Sequence, residues 1–260
     1  MRHDLYYDLY AKEQDYWWHV GKRAIVYRML DRFLPKGKAG RGYALDLGCG
    51  TGLNLDGLAK YADPVGTDFS EEALHFCRER GHNMLCKADA AVLPFSDNSF
   101  SIVTALDVIE HLDGDYLAIE ELYRILRPGG LLVISVPAYP LLWTYWDDIL
   151  GHRRRYTTGS MRQVVERSGF RVRKLTYSNS LILAPVVAVR LLKSLRQRAS
   201  EARNESSDPE SDFMPVPVWL NSVLTRYYMW EAKHLVRNKL PFGLSVVCVA
   251  QKARKVACKK

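Results

Sequence analysis

ALDLGCGTGLNL, residues 44–55, is the stretch that decides the fold. Tyr43 to Leu47 is apolar apart from Asp46 and reads as a short strand. Gly48-x-Gly50-x-Gly52 follows, and Leu53 to Lys60 then reads as a helix. Strand, glycine loop and helix together let a nucleotide approach the main chain. Glycine has no Cβ to hold the ligand off, and the amides at the helix start face it. The spacing differs from the Gly-x-Gly-x-x-Gly of dinucleotide binders, and no Gly-Lys-Ser/Thr follows, which excludes a Walker A loop. A glycine loop alone does not choose among the remaining nucleotide-binding folds.

Working outward, strand and helix take turns. Pro64 to Thr67 is a second strand ending at Asp68, and Ser70 caps a helix with Glu71 and Glu72 in its first turn. Asn83 to Lys87 is a third strand ending near Asp89, and Ser101 to Leu106 a fourth, followed by a helix over Tyr116 to Leu126. Arg127-Pro128-Gly129-Gly130 reads as a turn and Leu131 to Val136 as a fifth strand. The alternation predicts an α/β fold, a parallel sheet with helices on both faces. Asp46, Asp68 and Asp89 then close three successive strands on one sheet edge, where such sheets bind ligands. Asp68, 22 residues after Asp46, suits a pair of ribose hydroxyls, since Ser70 is the better cap. Asp89 suits an exocyclic amine, although taken alone it reads equally as a loop residue.

The segments ALDLGCGTG, VGTDFSEEAL, CKADAAVLPFSDNSFSIVTALDVIEHL and ELYRILRPGGLLVISVP span Tyr43 to Pro137. Together they resemble the class I S-adenosylmethionine-dependent methyltransferases. The resemblance implies a Rossmann-like fold with a seven-stranded, mostly parallel sheet whose last strand is antiparallel. It implies S-adenosylmethionine as cofactor and S-adenosylhomocysteine as product. It assigns Asp46, Gly48, Cys49, Gly50 and Gly52 to the methionine part, Asp68 with Phe69 to the ribose, and Asp89 with the Ala90 amide to the adenine. Leu106 and Asp107 would line the cofactor from the fourth strand. YWWHVGKRAIVYRML, near the N-terminus, resembles a narrower bacterial group. By that resemblance Tyr16, Trp17, Trp18 and Arg23 cover the cofactor, with Arg23 near its carboxylate. Read from the residues alone, Trp17 and Trp18 pack a helix on the core, and both readings stand.

Outside these segments the first forty residues read as helix. Tyr16, Trp17, Val20, Ala24, Tyr27 and Leu30 form its apolar face, and Pro35, Gly37 and Gly40 close it. Ala138 to Thr158 reads as a loop with a short helix, Met161 to Ser168 as a helix, Phe170 to Tyr177 as a sixth strand and Ser245 to Gln251 as the last. Leu181 to Arg198 and Val218 to Asn238 read as helices joined by a mobile polar linker over 199–217. The expected organisation is a helical lid (1–40), a core (41–180), a helical insertion before the last strand (181–240), and a final strand with a basic tail (241–260).

Methyl transfer from a sulfonium is an in-line displacement, so the protein's main task is to align the acceptor and exclude water. A base is needed only where the acceptor must lose a proton. His111, just past the fourth strand, is the candidate base; its alternative is to orient a loop or cap the helix beginning near Asp113. Trp146 to Tyr156, WDDILGHRRRY, is the candidate acceptor segment and resembles a run found in the same bacterial group. Three consecutive arginines cannot share one face. Still, His152, Arg153 and Arg155, with Trp146 and Tyr156, suit a phosphate or carboxylate. Asp147 and Asp148 offer a local salt-bridge network instead. Glu231 lies on the apolar stripe of Leu220, Leu224, Tyr227 and Leu235. It must bond to a backbone or an arginine, or touch the acceptor as a second candidate catalytic group.

Composition bounds the rest. The 260 residues are 48% hydrophobic and 25% charged, ordinary for a globular chain, with a formal charge of +8. The five cysteines include no Cys-x-x-Cys pair, so neither a disulfide framework nor a metal site is expected, and a reducing compartment is the simpler reading. The N-terminus has no apolar signal core, and the longest apolar run, Leu181 to Val189, is about half a membrane span. A cytoplasmic protein is expected; the helix over 181–198 reads either as a core-packing helix whose basic residues are solvated or as a membrane-surface helix giving peripheral contact at the inner membrane face. The expected acceptor is a small, lipid-linked or glycan-linked molecule, with an anionic one as the reading that suits the arginines. Nucleic acid is not expected, because Ala105-Leu-Asp-Val stands where amino-methylating nucleic-acid enzymes carry Asn/Asp-Pro-Pro-Tyr/Phe. The sequence leaves the oligomeric state open. The rival readings are a catalytically silent S-adenosylmethionine-binding partner or sensor and a nicotinamide oxidoreductase.

Overall fold

The computed structural model describes residues 3–34, 42–188 and 216–254. Seven strands, β1 (Tyr43–Leu47), β2 (Asp63–Asp68), β3 (Leu85–Lys87), β4 (Phe100–Leu106), β5 (Leu126–Pro137), β6 (Arg171–Ser178) and β7 (Ser245–Gln251), form one sheet. Their order is β3-β2-β1-β4-β5-β7-β6. The pairings among β1 to β5 are parallel, and β7 runs antiparallel to both β5 and β6, so six strands share one direction. The central strands are apolar on both faces, as a sheet covered twice requires. Along β5, Leu131 and Val133 point into one core, and Leu132, Ile134 and Val136 into the other.

The helices are α1 (His3–Lys12), α2 (Trp17–Phe33), α3 (Leu53–Leu58), α4 (Glu71–Glu79), α5 (Asp115–Ile125), α6 (Tyr145–Leu150), α7 (Thr158–Arg167), α8, described over residues 180–188, and α9 (Val218–Leu235). Residues of α5 and α7 share one core cluster with the sheet, and residues of α2 and α9 the other. The second layer therefore joins the expected lid to the expected insertion. Tyr228, Ala232 and Leu235 of α9 are buried against Ile25, Met29 and Leu30 of α2. Tyr228 is seated by Gly21, where a Cβ would lie 1.8 Å from the ring. Burying side chains of this size stabilises by roughly 1.5–3 kcal/mol each.

Three readings need correction. The first forty residues contain two helices, broken between Lys12 and Trp17. No side chain of that turn caps α2; Asn221 of α9 does so instead, accepting from the Trp17 amide at 2.9 Å and donating to the Asp15 carbonyl at 2.9 Å. The buried face of α2 is also turned from the expected one, to Trp17, Gly21, Lys22, Ile25, Val26, Met29 and Leu30, because Tyr228 enters at Gly21. Arg127 to Gly130 is part of β5 rather than a turn. Leu126 pairs with Phe100, and the irregular stretch is held by Gly129 N–H to Lys252 O (2.9 Å) and Lys252 N–H to Gly130 O (3.1 Å). Pro35, Gly37 and Gly40, the linker over 199–217, and 189–198 of the basic helix lie outside the described residues.

Candidate functional site

The glycine loop connects β1 to α3. Gly48, Gly50 and Gly52 all have left-handed backbones, with φ of 64°, 55° and 90°, so each needs glycine. A Cβ at Gly48 would also meet Val108 Cγ2 at 2.3 Å. Asp68, at the end of β2, ties the loop to its own turn. Its carboxylate accepts from Gly50 N–H at 3.0 Å and Ser70 N–H at 2.9 Å, and burial raises its pKa. Ser70 caps α4 by accepting from Ala73 N–H at 3.3 Å, as expected.

Asp46 is buried on β1 and accepts from Asn54 Nδ2 at 3.0 Å and Thr104 Oγ1 at 2.5 Å. Burial pushes its pKa up to about 7 against those two bonds. A folded-state pKa above the unfolded value means that the folded chain holds the proton more tightly. Stability from this group is thus lost as pH rises through the window between 3.8 and about 7. Other buried groups titrate in the same range, so the test is a difference. Asp46→Asn should gain on the parent chain by on the order of 3 kcal/mol between pH 5 and pH 8, read from urea unfolding at both.

Helix α1 lies over the loop. Leu9 Cδ2 comes within 3.5 Å of a Cβ placed on Gly50. Buried Glu13 bonds to the Thr51 hydroxyl and pairs with Arg80 at 2.9 Å, while Arg80 Nε–H donates to Thr51 O at 2.8 Å. Tyr6 is buried near Asp68 and Ser70, and its pKa is pushed up to about 12, by burial first and the Asp68 charge second. None of Tyr6, Glu13, Thr51 and Arg80 was singled out from the sequence; the only trace is the Tyr6–Tyr10 spacing of four. Cys49 is buried with its Sγ 3.7 Å from that of Cys77. At the sheet edge Phe69, after β2, is 74% exposed, and Val92, which bridges to Asp89, is 75% exposed; the Asp89 carboxylate accepts from Ala91 N–H at 2.9 Å. Exposed apolar groups near the carboxylates that follow β2 and β3 suit a flat purine ring. The residues present therefore fit an adenosyl group.

The end of β4 carries a second cluster. Asp107 has φ 55°, and its carboxylate accepts from the Ser135 hydroxyl at 3.4 Å and pairs with Lys22. Leu106, just before it, packs against the α2–α9 core. Lys22 is buried, which lowers its pKa to about 8, and its Nζ lies 5.4 Å from the Trp18 ring centre. The neighbouring cation, Arg23, donates instead to the carbonyls of Glu13 (2.8 Å) and Gln14 (3.3 Å). The resemblance puts Arg23 near the cofactor carboxylate and gives no role to Lys22. Trp17 is buried against Tyr228, with ring centres 6.0 Å apart, and Trp18 stands edge-on to it.

Glu110 and His111 lie in a single 3-10 turn, Ile109–His111. Glu110 is fully buried, and neither carboxylate oxygen has a hydrogen-bond partner; burial raises its pKa to about 8. His111 Nδ1 faces Gly151 O at 3.3 Å, and burial first, then His152, lowers its pKa to about 4. The imidazole is therefore neutral near pH 7. Across from it, Asp147 accepts from His152 Nδ1 at 2.8 Å and from Arg155 at 2.7 and 3.0 Å. Burial alone would raise the Asp147 carboxyl, but His152 and Arg155 outweigh it and hold it below the usual range. The structure thus brings His111, His152 and Arg155 together. Tyr156 is buried, its hydroxyl donating to Asp115 at 2.7 Å, and Trp146 is half-buried on α6. Arg153 points away to exposed Asp113 at 3.3 Å, and Arg154 bridges Asp115 and the carbonyls of Leu112 and Asp113. Glu231 accepts from Asn179 N–H (2.6 Å), Ser180 N–H (3.1 Å), Ser180 Oγ–H (3.1 Å) and the Tyr227 hydroxyl. It bonds to backbone at the start of α8, and no arginine pairs with it among the described residues.

Comparison with known proteins agrees with this geometry. Residues 45–134 match a family described as a methyltransferase domain. A protein of Mycolicibacterium smegmatis, named "Probable S-adenosylmethionine-dependent methyltransferase", is 31% identical over 164 residues, covering 62% of this chain and 61% of that protein. A demethylmenaquinone methyltransferase of Lactobacillus johnsonii is 34% identical over 132 residues, covering 45% and 54%. The chain spans about three fifths or less of the length of these relatives. Among solved structures, an S-adenosylmethionine-dependent methyltransferase from Archaeoglobus fulgidus superposes with a TM-score of 0.52 at 21% identity, covering 88% of this chain and 94% of that one. The methyltransferase-domain match runs from β1 through all three acids into β5, so it is this ligand-binding half of the sheet, residues 45–134, that is similar to S-adenosylmethionine-dependent methyltransferases.

Proposed function

We propose that the chain methylates a small or lipid-linked acceptor bearing a hydroxyl or similar heteroatom. When bound, S-adenosylmethionine supplies an electrophilic methyl group. Asp68 and Phe69 are assigned to the adenosyl end, with Asp89 and Ala90 at the base. Asp46, Gly48, Cys49, Gly50 and Gly52 are assigned to the methionine end, and Leu106, Asp107 and Lys22 to the wall between cofactor and acceptor. α1 and α2 exclude water, with Trp17, Trp18 and Arg23 holding that cover together. The observation that carries an acceptor site is the pairing of His111 and His152, ring centres 4.8 Å apart, beside unpartnered Glu110. Either imidazole offers a lone pair to the acceptor, Arg155 adds fixed positive charge, and Trp146 and Tyr156 form the surrounding frame, while Arg153, turned to Asp113, is left out of it. Glu231 is assigned a structural role.

A lipid-linked acceptor is supported by the outer face of α9. Val218 is 83% exposed, Trp219 69%, Val223 53% and Trp230 58%, with Arg226 and Lys233 exposed beside them. Tryptophan, aliphatics and basic residues on one helix suit the membrane interface. No helix among the described residues is long and apolar enough to cross a membrane. The relative named for demethylmenaquinone points the same way.

The test incubates the chain and methyl-labelled cofactor with fractionated cell extract. Label is expected in the lipid-extractable or small-molecule fraction. Binding of cofactor without label transfer to any fraction would favour the silent-binder reading, and calorimetric preference for a nicotinamide cofactor would favour an oxidoreductase.

A further inference from the structure

We infer that Glu110, His111 and His152 form a site for a first-row divalent cation such as Zn2+, where the sequence reading expected no metal. One ligand atom from each of these residues lies within 4.8 Å of the other two. The carboxylate is the first reason. Glu110 is fully buried, and both its oxygens lack a hydrogen-bond partner. The nearby cations are already engaged, Lys22 with Asp107 and Arg155 with Asp147. A buried carboxylate is rarely left without a donor or a metal.

The second reason is the orientation of the two imidazoles. Asp147 Oδ1, 2.8 Å from His152 Nδ1, can only accept, as can Gly151 O, 3.3 Å from His111 Nδ1. Both rings therefore carry their proton on Nδ1. Nε2 is left with its lone pair, and that of His152 faces Glu110 Oε1 at 4.0 Å. Metal-ligating histidines are held in this way, by a carboxylate or backbone carbonyl on the other nitrogen. Ligands about 2.1 Å from a tetrahedral zinc lie roughly 3.4 Å apart, so small side-chain rotations close the site. Two imidazoles and one carboxylate suit zinc-like ions better than Mg2+, which prefers oxygen. Three protein ligands leave a position open to an acceptor oxygen. The functional part rests on the acceptor site proposed above and makes His111 a ligand rather than the base. The binding part stands without it.

The test uses the untagged full chain, stripped by a chelator and titrated with Zn2+ against a chromophoric competitor. One equivalent should bind, weakened about 100-fold by Glu110→Gln or His152→Ala and by about 10–100-fold in Asp147→Asn. Co2+ in place of Zn2+ should give visible bands of a four- or five-coordinate ion, absent in Glu110→Gln. Glu110→Gln keeps the side-chain volume, so it carries the test if His152→Ala fails to fold. The absence of a stoichiometric site, or Zn2+ affinity unchanged in Glu110→Gln, would overturn the inference. S-adenosylmethionine binding, measured on the same samples, reports separately on the methyltransferase reading.

Discussion

Asp68→Ala is expected to weaken S-adenosylmethionine and S-adenosylhomocysteine binding by on the order of 100- to 1,000-fold, with both affinities read by calorimetry. Two charge-assisted hydrogen bonds to the ribose hydroxyls would be lost, at roughly 1.5–2 kcal/mol each. A second loss adds to the first. The same carboxylate holds the Gly50 and Ser70 amides at 3.0 and 2.9 Å, so the alanine chain also leaves the loop and the turn after β2 without their common acceptor. Asp68→Asn separates the two effects. It keeps the shape and one acceptor oxygen but removes the charge, and should cost only about 10-fold. An alanine variant that binds as tightly as the parent chain would move the ribose away from β2.

Much of this side of the molecule is legible in the sequence, for a physical reason. Buried parallel strands are written as short apolar runs, and the acids that end them stand at the only sheet edge where the loops open. The last strand, Ser245–Gln251, even keeps its expected boundaries. What the sequence does not disclose is long-range. The break before α2 is held by Asn221, 204 residues away from Trp17. The buried face of α2 is selected by Tyr228, which needs the space at Gly21. Arg23 and Lys22 are neighbours of similar charge, and only the rotation of α2 decides that Lys22 reaches Asp107. Glu110 looks like one more helix-forming glutamate in DVIEHL. Its complete burial beside His152, whose Nε2 lies 4.0 Å from its Oε1, is a product of tertiary packing.

Glu231→Ala is expected to destabilise the fold by about 3–5 kcal/mol, the cost of leaving several buried donors unsatisfied, read by chemical denaturation. The carboxylate is fully buried and serves four donors, the amides of Asn179 and Ser180 and the hydroxyls of Ser180 and Tyr227. Truncation strands those donors in an interior that also holds Tyr228, whose hydroxyl accepts from Asn179 Nδ2 at 2.8 Å. Against a total stability of roughly 5–15 kcal/mol, that loss is a large fraction. Glu231→Gln sharpens the choice between structure and chemistry. Its amide keeps one acceptor oxygen but turns an NH2 group toward donors, so stability should still fall by about 1–3 kcal/mol. A structural carboxylate predicts that kcat and cofactor affinity, measured well below the unfolding transition, stay near those of the parent chain. A fall in kcat with an unchanged denaturation midpoint would return Glu231 to the acceptor and make its contacts with α8 incidental.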